Sequence, residues 1–276
     1  MKAMFSDFGL GIRTWGRSWN FILSNGLAHY FLYPVVISVL IGMGAMVFID
    51  QLTEWLMSVI APHLEFHSVA ERSWWEQVKM FSAELATAGI KVMLWVTQFY
   101  LYWKFGKYLT LAAMSPVMAL LSERTDKILS GKDYPFNGKQ FVRDIFRGIL
   151  MAARNAVLEL LTVIALWMAE VLLLWFLSPV GIILTPVFGL MAFFVSAYFY
   201  GFSTIDYTSE RRRLGIRASV RYTRKVRGLA AGNGTMFSLL MLIPWIGTSL
   251  ATVTCTVAAG LAIQERDKKR DAESGS

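Results

Sequence analysis

Cysteine is almost missing from this chain: Cys255 is the only one in 276 residues, so no intramolecular disulfide and no cysteine-rich metal site can form. Histidine is nearly as scarce. His63 and His67 stand four apart, but Pro62 precedes them, the remaining histidine is the distant His29, and no third ligand is spaced to complete a zinc site. Glycine pairs occur at Gly9-Leu-Gly11 and Gly232-Asn-Gly234, yet no strand precedes either and no Gly-Lys-Ser/Thr follows, which excludes a phosphate loop. No Ser-His-Asp or Cys-His set is evident, so the pattern calls for no cofactor and no enzyme. Charge is thin: Asp, Glu, Lys and Arg make up 17% of the residues. The connections Ser178–Gly181 and Pro244–Gly247 carry none.

What fills the space is apolar. Hydrophobic residues make up 55% of the chain and the mean hydropathy is +0.48. A soluble domain of this length rarely carries so much apolar surface, which points to a polytopic all-α membrane protein. The apolar residues come in continuous runs rather than alternation, which argues against a β-barrel. The first run, from Leu27, is too long for a signal-peptide core and no small-residue cleavage site ends it, so the N-terminus reads as retained.

The basic residues are unevenly placed. The stretches before Leu27, from Lys104 to Arg154, from Arg211 to Arg227 and after Gln264 hold 24 of the 27 Lys and Arg. The stretch Asp50–Glu84 holds only Arg72 and Lys79 against six acids. Lys and Arg are retained on the cytoplasmic side because moving them across is costly. The expected topology is an inner-membrane protein with both termini cytoplasmic and an even number of crossings. The net charge of +8 then lies at membrane edges, where the expected partner is anionic lipid headgroups and not nucleic acid.

A single integral membrane domain is expected over 1–276. Within 1–26, Phe5, Phe8, Ile12, Trp15, Trp19 and Ile22 recur at helical spacing, with Arg13 and Arg17 elsewhere on the wheel. That pattern predicts an amphipathic interface helix, broken at Asn25-Gly26. Leu27–Ile49 predicts a first span, with Pro34 in its opening turns; 23 residues give about 34 Å of helix against a ~30 Å hydrocarbon core. Residues 50–84 are expected outside the cytoplasm. Leu85–Trp103 predicts a second span, in a helix continuing to about Leu129 before a turn at Gly131. Residues 104–155 and 206–234 read as cytoplasmic basic segments and 264–276 as a cytoplasmic tail. Ala156–Leu177 and Val180–Ile205 predict a hairpin around Ser178-Pro179. The last hairpin, with arms Thr235–Ile243 and Thr248–Ile263, is short, which predicts a re-entrant pair.

Ionisable groups inside apolar runs are expensive and mark pathways or packing pairs. Glu84, Lys91 and Gln98 share one face of the second span, and Glu159 and Glu170, eleven apart, share another; Asp206 lies at an edge. An ion pair that fixes packing is the plainer reading of this set, a polar pathway the sharper one. Arg213, Arg217, Arg221 and Arg224 recur at four, four and three, which suits lipid headgroups and topology better than substrate capture.

Several pieces occur in the order seen in one known family. They are Trp15 and Trp19, the turn Ser24-Asn25-Gly26-Leu27 leading to Pro34, and Ala113-Met-Ser-Pro-Val-Met-Ala-Leu-Leu-Ser-Glu123 on the long second helix. Asp206-Tyr207, Arg221-Tyr-Thr-Arg-Lys225 and Phe237-Ser-Leu-Leu-Met-Leu-Ile-Pro244 follow. From about residue 9 to 267 the chain resembles the CysZ-type sulfate permeases, the etoposide-induced-protein domain. The resemblance implies an oligomeric α-helical inner-membrane protein with two long spanning helices and two partly penetrating hairpins. It also implies uptake of sulfate for sulfur assimilation, by channel or permease. In sulfate-transporting members the turn after the amphipathic helix continues with a pair of arginines; here those positions are Ala28 and His29. The candidate anion site is therefore Asn25, Gly26, Leu27 and His29, with the N–H groups opening the first helix. A small inorganic anion is the expected ligand, and a non-transporting scaffold or assembly factor of the same fold is the alternative.

Overall fold

The computed structural model describes residues 2–60, 62, 74–131, 138–243 and 246–274. These form α1 (Lys2–Ser24), a 3-10 turn (Leu27–Phe31), α2 (Leu32–Ile60), α3 (Trp74–Ser130), α4 (Gly138–Phe176), α5 (Ser178–Arg211), α6 (Ile216–Lys225), α7 (Arg227–Leu240) and α8 (Gly247–Ser274). No strand occurs among the described residues. The fold is all-α and polytopic. Four stretches are long and apolar enough to cross a membrane: Leu27–Ile60, Gly138–Phe176, Ser178–Arg211 and Gly247–Ala272. The expected second span, Leu85–Trp103, is not among them, because Lys91, Gln98 and its tyrosines dilute an otherwise apolar stretch.

The chain divides into two compact units, residues 39–107 and residues 1–38 with 108–276. The smaller unit pairs most of α2 with the first part of α3. Trp95 donates through Nε1 to Asp50 Oδ1 at 3.3 Å, and Gln98 Nε2 donates to Thr53 Oγ1 at 2.8 Å. Polar bonds between helices are expected where lipid offers no partner.

In the larger unit α8 is central. Val253 and Val257 pack with Ile22 of α1, Met114, Met118 and Leu121 of α3, and Tyr207 of α5. Ala259 and Ile263 meet Leu10 of α1, Ile205 of α5 and Leu229 of α7. The helices cross closely because the facing residues are small. A β-carbon on Gly201 of α5 would run into the carbonyl oxygen of Ala230, and one on Gly234 of α7 into that of Ala197. The Gly232-Asn-Gly234 stretch that weakens α7 as a spanning arm is thus what lets it pack. At 14 residues α7 is about 21 Å long, short of a ~30 Å core. The tip of that hairpin, residues 244–245, lies outside the described residues.

α1 is helical as expected, and of its apolar stripe only Ile22 is fully buried. It buries Leu10, Gly11, Thr14, Ser18 and Ile22, while Phe5 is 66% exposed. Trp15 and Trp19 are half-buried; Trp15 donates to Thr254 Oγ1 at 3.2 Å and Trp19 stacks on Phe31. A face of small and hydroxyl side chains carries little hydrophobic signal, yet it allows the closest approach to α7 and α8. The helices also overrun their apolar cores. α2 continues to Ile60, α4 begins at Gly138 in the basic segment, and α8 runs on to Ser274. Charged residues extend a helix without difficulty when they find partners. Glu265 of α8 accepts from Arg13 and Arg17 of α1, and Arg266 pairs with Asp7.

Candidate functional site

The turn between α1 and α2 is built by Gly26, whose φ of 67° is a left-handed conformation natural to glycine. Asn25 ends α1: its amide Nδ2 donates to Phe21 O at 2.8 Å. The 3-10 turn that follows has no side-chain cap, so its first N–H groups are left to solvent or ligand. Leu27 is buried in the core and anchors the turn, whereas Ala28 and His29 are exposed. His29 Nδ1 lies 3.0 Å from Gly26 O. A carbonyl only accepts, so that contact places the proton of a neutral imidazole on Nδ1 and leaves Nε2 as an acceptor. Protonation converts Nε2 into a donor and adds a charge. The His29 ring packs 4.5 Å from the Tyr30 ring. The hydroxyl of Tyr30 is hydrogen-bonded by Arg124 of α3, so a fixed positive charge stands near the turn. Beside it is Glu123, whose carboxyl is raised above the usual range, first by burial and then by Asp144, against the pull of Arg211.

A second polar centre lies in the core of the same unit. From Phe199 to Arg211 every residue of α5 is buried, Asp206, Glu210 and Arg211 included. Asp206 and Glu210 are one turn apart and face Arg147 of α4. The guanidinium grips Asp206 with two bonds, 2.7 Å and 3.1 Å, reaches Glu210 at 3.3 Å, and donates through Nε to Leu214 O. Ser115 of α3 donates to Glu210 at 3.4 Å, and Ser219 of α6 donates to Asp206. Arg211 donates to Ser122 O at 2.7 Å and faces Asp126 at 3.7 Å. This set ties α3, α4, α5 and α6 together. Its free space is a cavity of about 20 Å³ among Ser115, Met151, Ser203, Asp206 and Tyr207, room for about one water. Within the Arg147 cluster two carboxylates share one guanidinium, which suits a structural clasp better than a seat for an anion.

Sequence reasoning placed Asp206 at an edge and missed Arg147, Glu210 and Arg211, which it read as parts of solvated basic segments. The available signal was the i, i+4 spacing of Asp206 and Glu210 at the end of an apolar helix, with Arg143, Arg147 and Arg154 on the preceding one.

Of the expected intramembrane set, Glu159 is 3% exposed and accepts a hydrogen bond from Ser196 of α5 at 2.7 Å. Glu170 is half-buried on the same face of α4. Glu84 and Lys91 are exposed, and Gln98 is bonded to Thr53. Arg217, Arg221 and Arg224 lie exposed on α6, but Arg213 falls in the preceding turn at φ 54° and so leaves the helical stripe. Among the described residues no group of three or more His, Cys, Asp or Glu is placed to hold a metal; His63 and His67 lie outside them.

The sulfate transporter CysZ of Pectobacterium atrosepticum is 21% identical to this chain over 253 residues, spanning 91% of the chain and 83% of the relative. The family described as sulfate transporter CysZ/etoposide-induced protein 2.4 matches residues 14–250, from the middle of α1 into α8. With that much of the chain matched, the protein is a member of the sulfate transporter CysZ/etoposide-induced protein 2.4 family.

Proposed function

We propose that this protein carries a small oxyanion, sulfate the first to test, across the inner membrane as a channel or permease, and that it meets the anion at the Asn25–His29 turn. Family membership and the name of the Pectobacterium relative support the transport reading. The observation that carries the site is the uncapped turn opened by left-handed Gly26, with His29 exposed beside it. Backbone N–H groups and a helix dipole favour an anion there. A neutral His29 that donates to Gly26 O offers the anion only a lone pair; a protonated one offers a donor and a charge. Glu123 acts in the same direction, since its raised titration makes it neutral sooner as pH falls.

Sulfate flux into proteoliposomes tests this. Flux should fall from about pH 5.5 to about pH 8, the range in which imidazoles lose their charge. Restoring two fixed charges with Ala28→Arg and His29→Arg should raise flux and flatten that fall. Equal flux at both pH values, or a double variant indistinguishable from the parent, removes the turn as the anion site. No flux in any variant favours the second reading, a membrane scaffold, to which the missing arginine pair and the closed Arg147 cluster already lend weight. The orientation belongs to the proposal too. A reporter after Ser276 should read as cytoplasmic and one inserted near residue 67 as external, and either reversal rejects it.

A further inference from the structure

A groove of about 810 Å³ opens in the larger unit between α1, α5 and the junction of α6 with α7. Phe5 and Phe8 of α1 and Phe194 of α5 form its apolar wall, Phe8 and Phe194 meeting edge-to-face at 6.5 Å. Arg224 and Arg227 line the same groove, with Tyr198 between wall and charge. Both arginines are exposed, and neither forms an ion pair among the described residues. A third guanidinium, Arg154 of α4, sits 5.5 Å above the Phe202 ring, and its charge acts on both Arg224 and Tyr198. Its own hydrogen bond is to the neutral Asn155, and Asp206 acts on it less than Arg224 does.

Three like charges gathered around one tyrosine repel one another unless an anion joins them. Two arginines of this region have such partners: Arg147 holds Asp206, and Arg212 holds Asp267 at 2.6 Å. Arg217 and Arg221 of α6 are equally exposed, so what is particular to the charge beside Tyr198 is its setting. Its neighbour is a groove far larger than an inorganic oxyanion and walled by aromatic rings, so the anion that fits carries a long apolar part.

We propose that the groove binds one anionic phospholipid, its acyl chain along Phe5, Phe8 and Phe194 and its phosphate against Arg224 and Arg227, with Arg154 behind. Arginine suits this role because its planar donor fork meets two phosphate oxygens at once. The site shares no residue with the Asn25–His29 turn and stands whether or not that turn receives sulfate. A bound lipid would join α1 to α5 and α7, which the close glycine crossings already hold together.

The test uses the full-length protein, purified in a zwitterionic detergent. Native mass spectrometry reads the ratio of retained phosphatidylglycerol to retained phosphatidylcholine from an equal mixture. The parent should retain phosphatidylglycerol preferentially. Arg224→Gln with Arg227→Gln should lower that preference by about thirtyfold, the effect of two cations at a lipid surface. Lys268→Gln with Arg270→Gln removes the same charge from exposed positions of α8 outside the groove and should leave the preference unchanged. Phe5→Ser should weaken retention of the lipid while leaving binding of its soluble headgroup, glycerophosphoglycerol, as it was. Unchanged helix content and elution volume in each variant keep folding out of the comparison. The proposal is overturned if the parent shows no preference, if the two double variants lose it equally, or if inorganic phosphate or the soluble headgroup binds as tightly as the lipid. That last result would make it a free-anion site.

Discussion

The two halves of α5 are built on opposite principles. Its first half, with Val180, Ile182, Ile183 and Leu190, is apolar and exposed. Its second half carries Ser203, Thr204, Asp206, Thr208, Ser209, Glu210 and Arg211, and every one of them is buried. α4 and α8 repeat the contrast between whole helices. The most apolar stretch of Gly138–Phe176 is 6% buried, and that of Gly247–Ala272, rich in Thr and Ala, is 83% buried. In water this would be an inverted protein. In lipid it is the expected one, because hydrocarbon solvates Leu and Phe as well as a core does, and gives hydroxyls and charges no partner. The driving force for assembly moves from apolar burial to close backbone approach and polar bonds.

That comparison can be broken at its strongest point by Arg147→Ala. Removing the guanidinium leaves Asp206 and Glu210 buried without a cation, at a cost of about 3–5 kcal/mol. The melting temperature in detergent should fall sharply, and a variant as stable as the parent would show that the polar core is not what holds α4 to α5. Next in size is Phe237→Ala. Phe237 is 1% exposed and stacks on Tyr200 at 4.8 Å, so its loss should cost about 3–5 kcal/mol by opening a cavity. Gly201→Val should follow, at about 1–3 kcal/mol or more, because its side chain must push the α7 backbone away; a neutral result in a denaturation series would argue against the tight crossing. Ser196→Ala removes the recorded donor to Glu159 and should cost about 1–3 kcal/mol. The smallest effect belongs to Phe176→Ala. It is the same truncation as at Phe237, but Phe176 is 75% exposed, and in nanodiscs the change should stay within about 0.5 kcal/mol. If Phe176 and Phe237 respond alike, the division between lipid-facing and core surfaces is wrong.

Much of this fold could be read from residues alone. The helix break at Asn25-Gly26, the continuation of α3 to the left-handed Gly131, the turn before Pro179 and the shortness of α7 all follow from local chemistry. A glycine at positive φ or a proline in a first turn acts on its own neighbours and needs no partner elsewhere. The candidate turn was legible for the same reason, since Asn25, Gly26, Leu27 and His29 are contiguous. Glu159 was visible as a carboxylate in an apolar run, though not its bond to Ser196.

What only the tertiary structure decided is which polar residues turn inward. Arg147, Glu210 and Arg211 sit among many basic and acidic residues of ordinary spacing, and nothing local separates a solvated arginine from one that clamps two carboxylates. The buried face of α1 was not legible on similar grounds: Gly11, Thr14 and Ser18 have no hydrophobic signal, and their value lies in how closely α7 and α8 can approach. The grouping of Arg154, Arg224 and Arg227 around Tyr198 joins four helices across more than 70 positions of sequence. Composition and hydropathy determined the solvent of this protein, because they are sums over many residues. Contacts among a few residues far apart in the chain determined its interior, because in lipid those contacts, and not apolar burial, discriminate one packing from another.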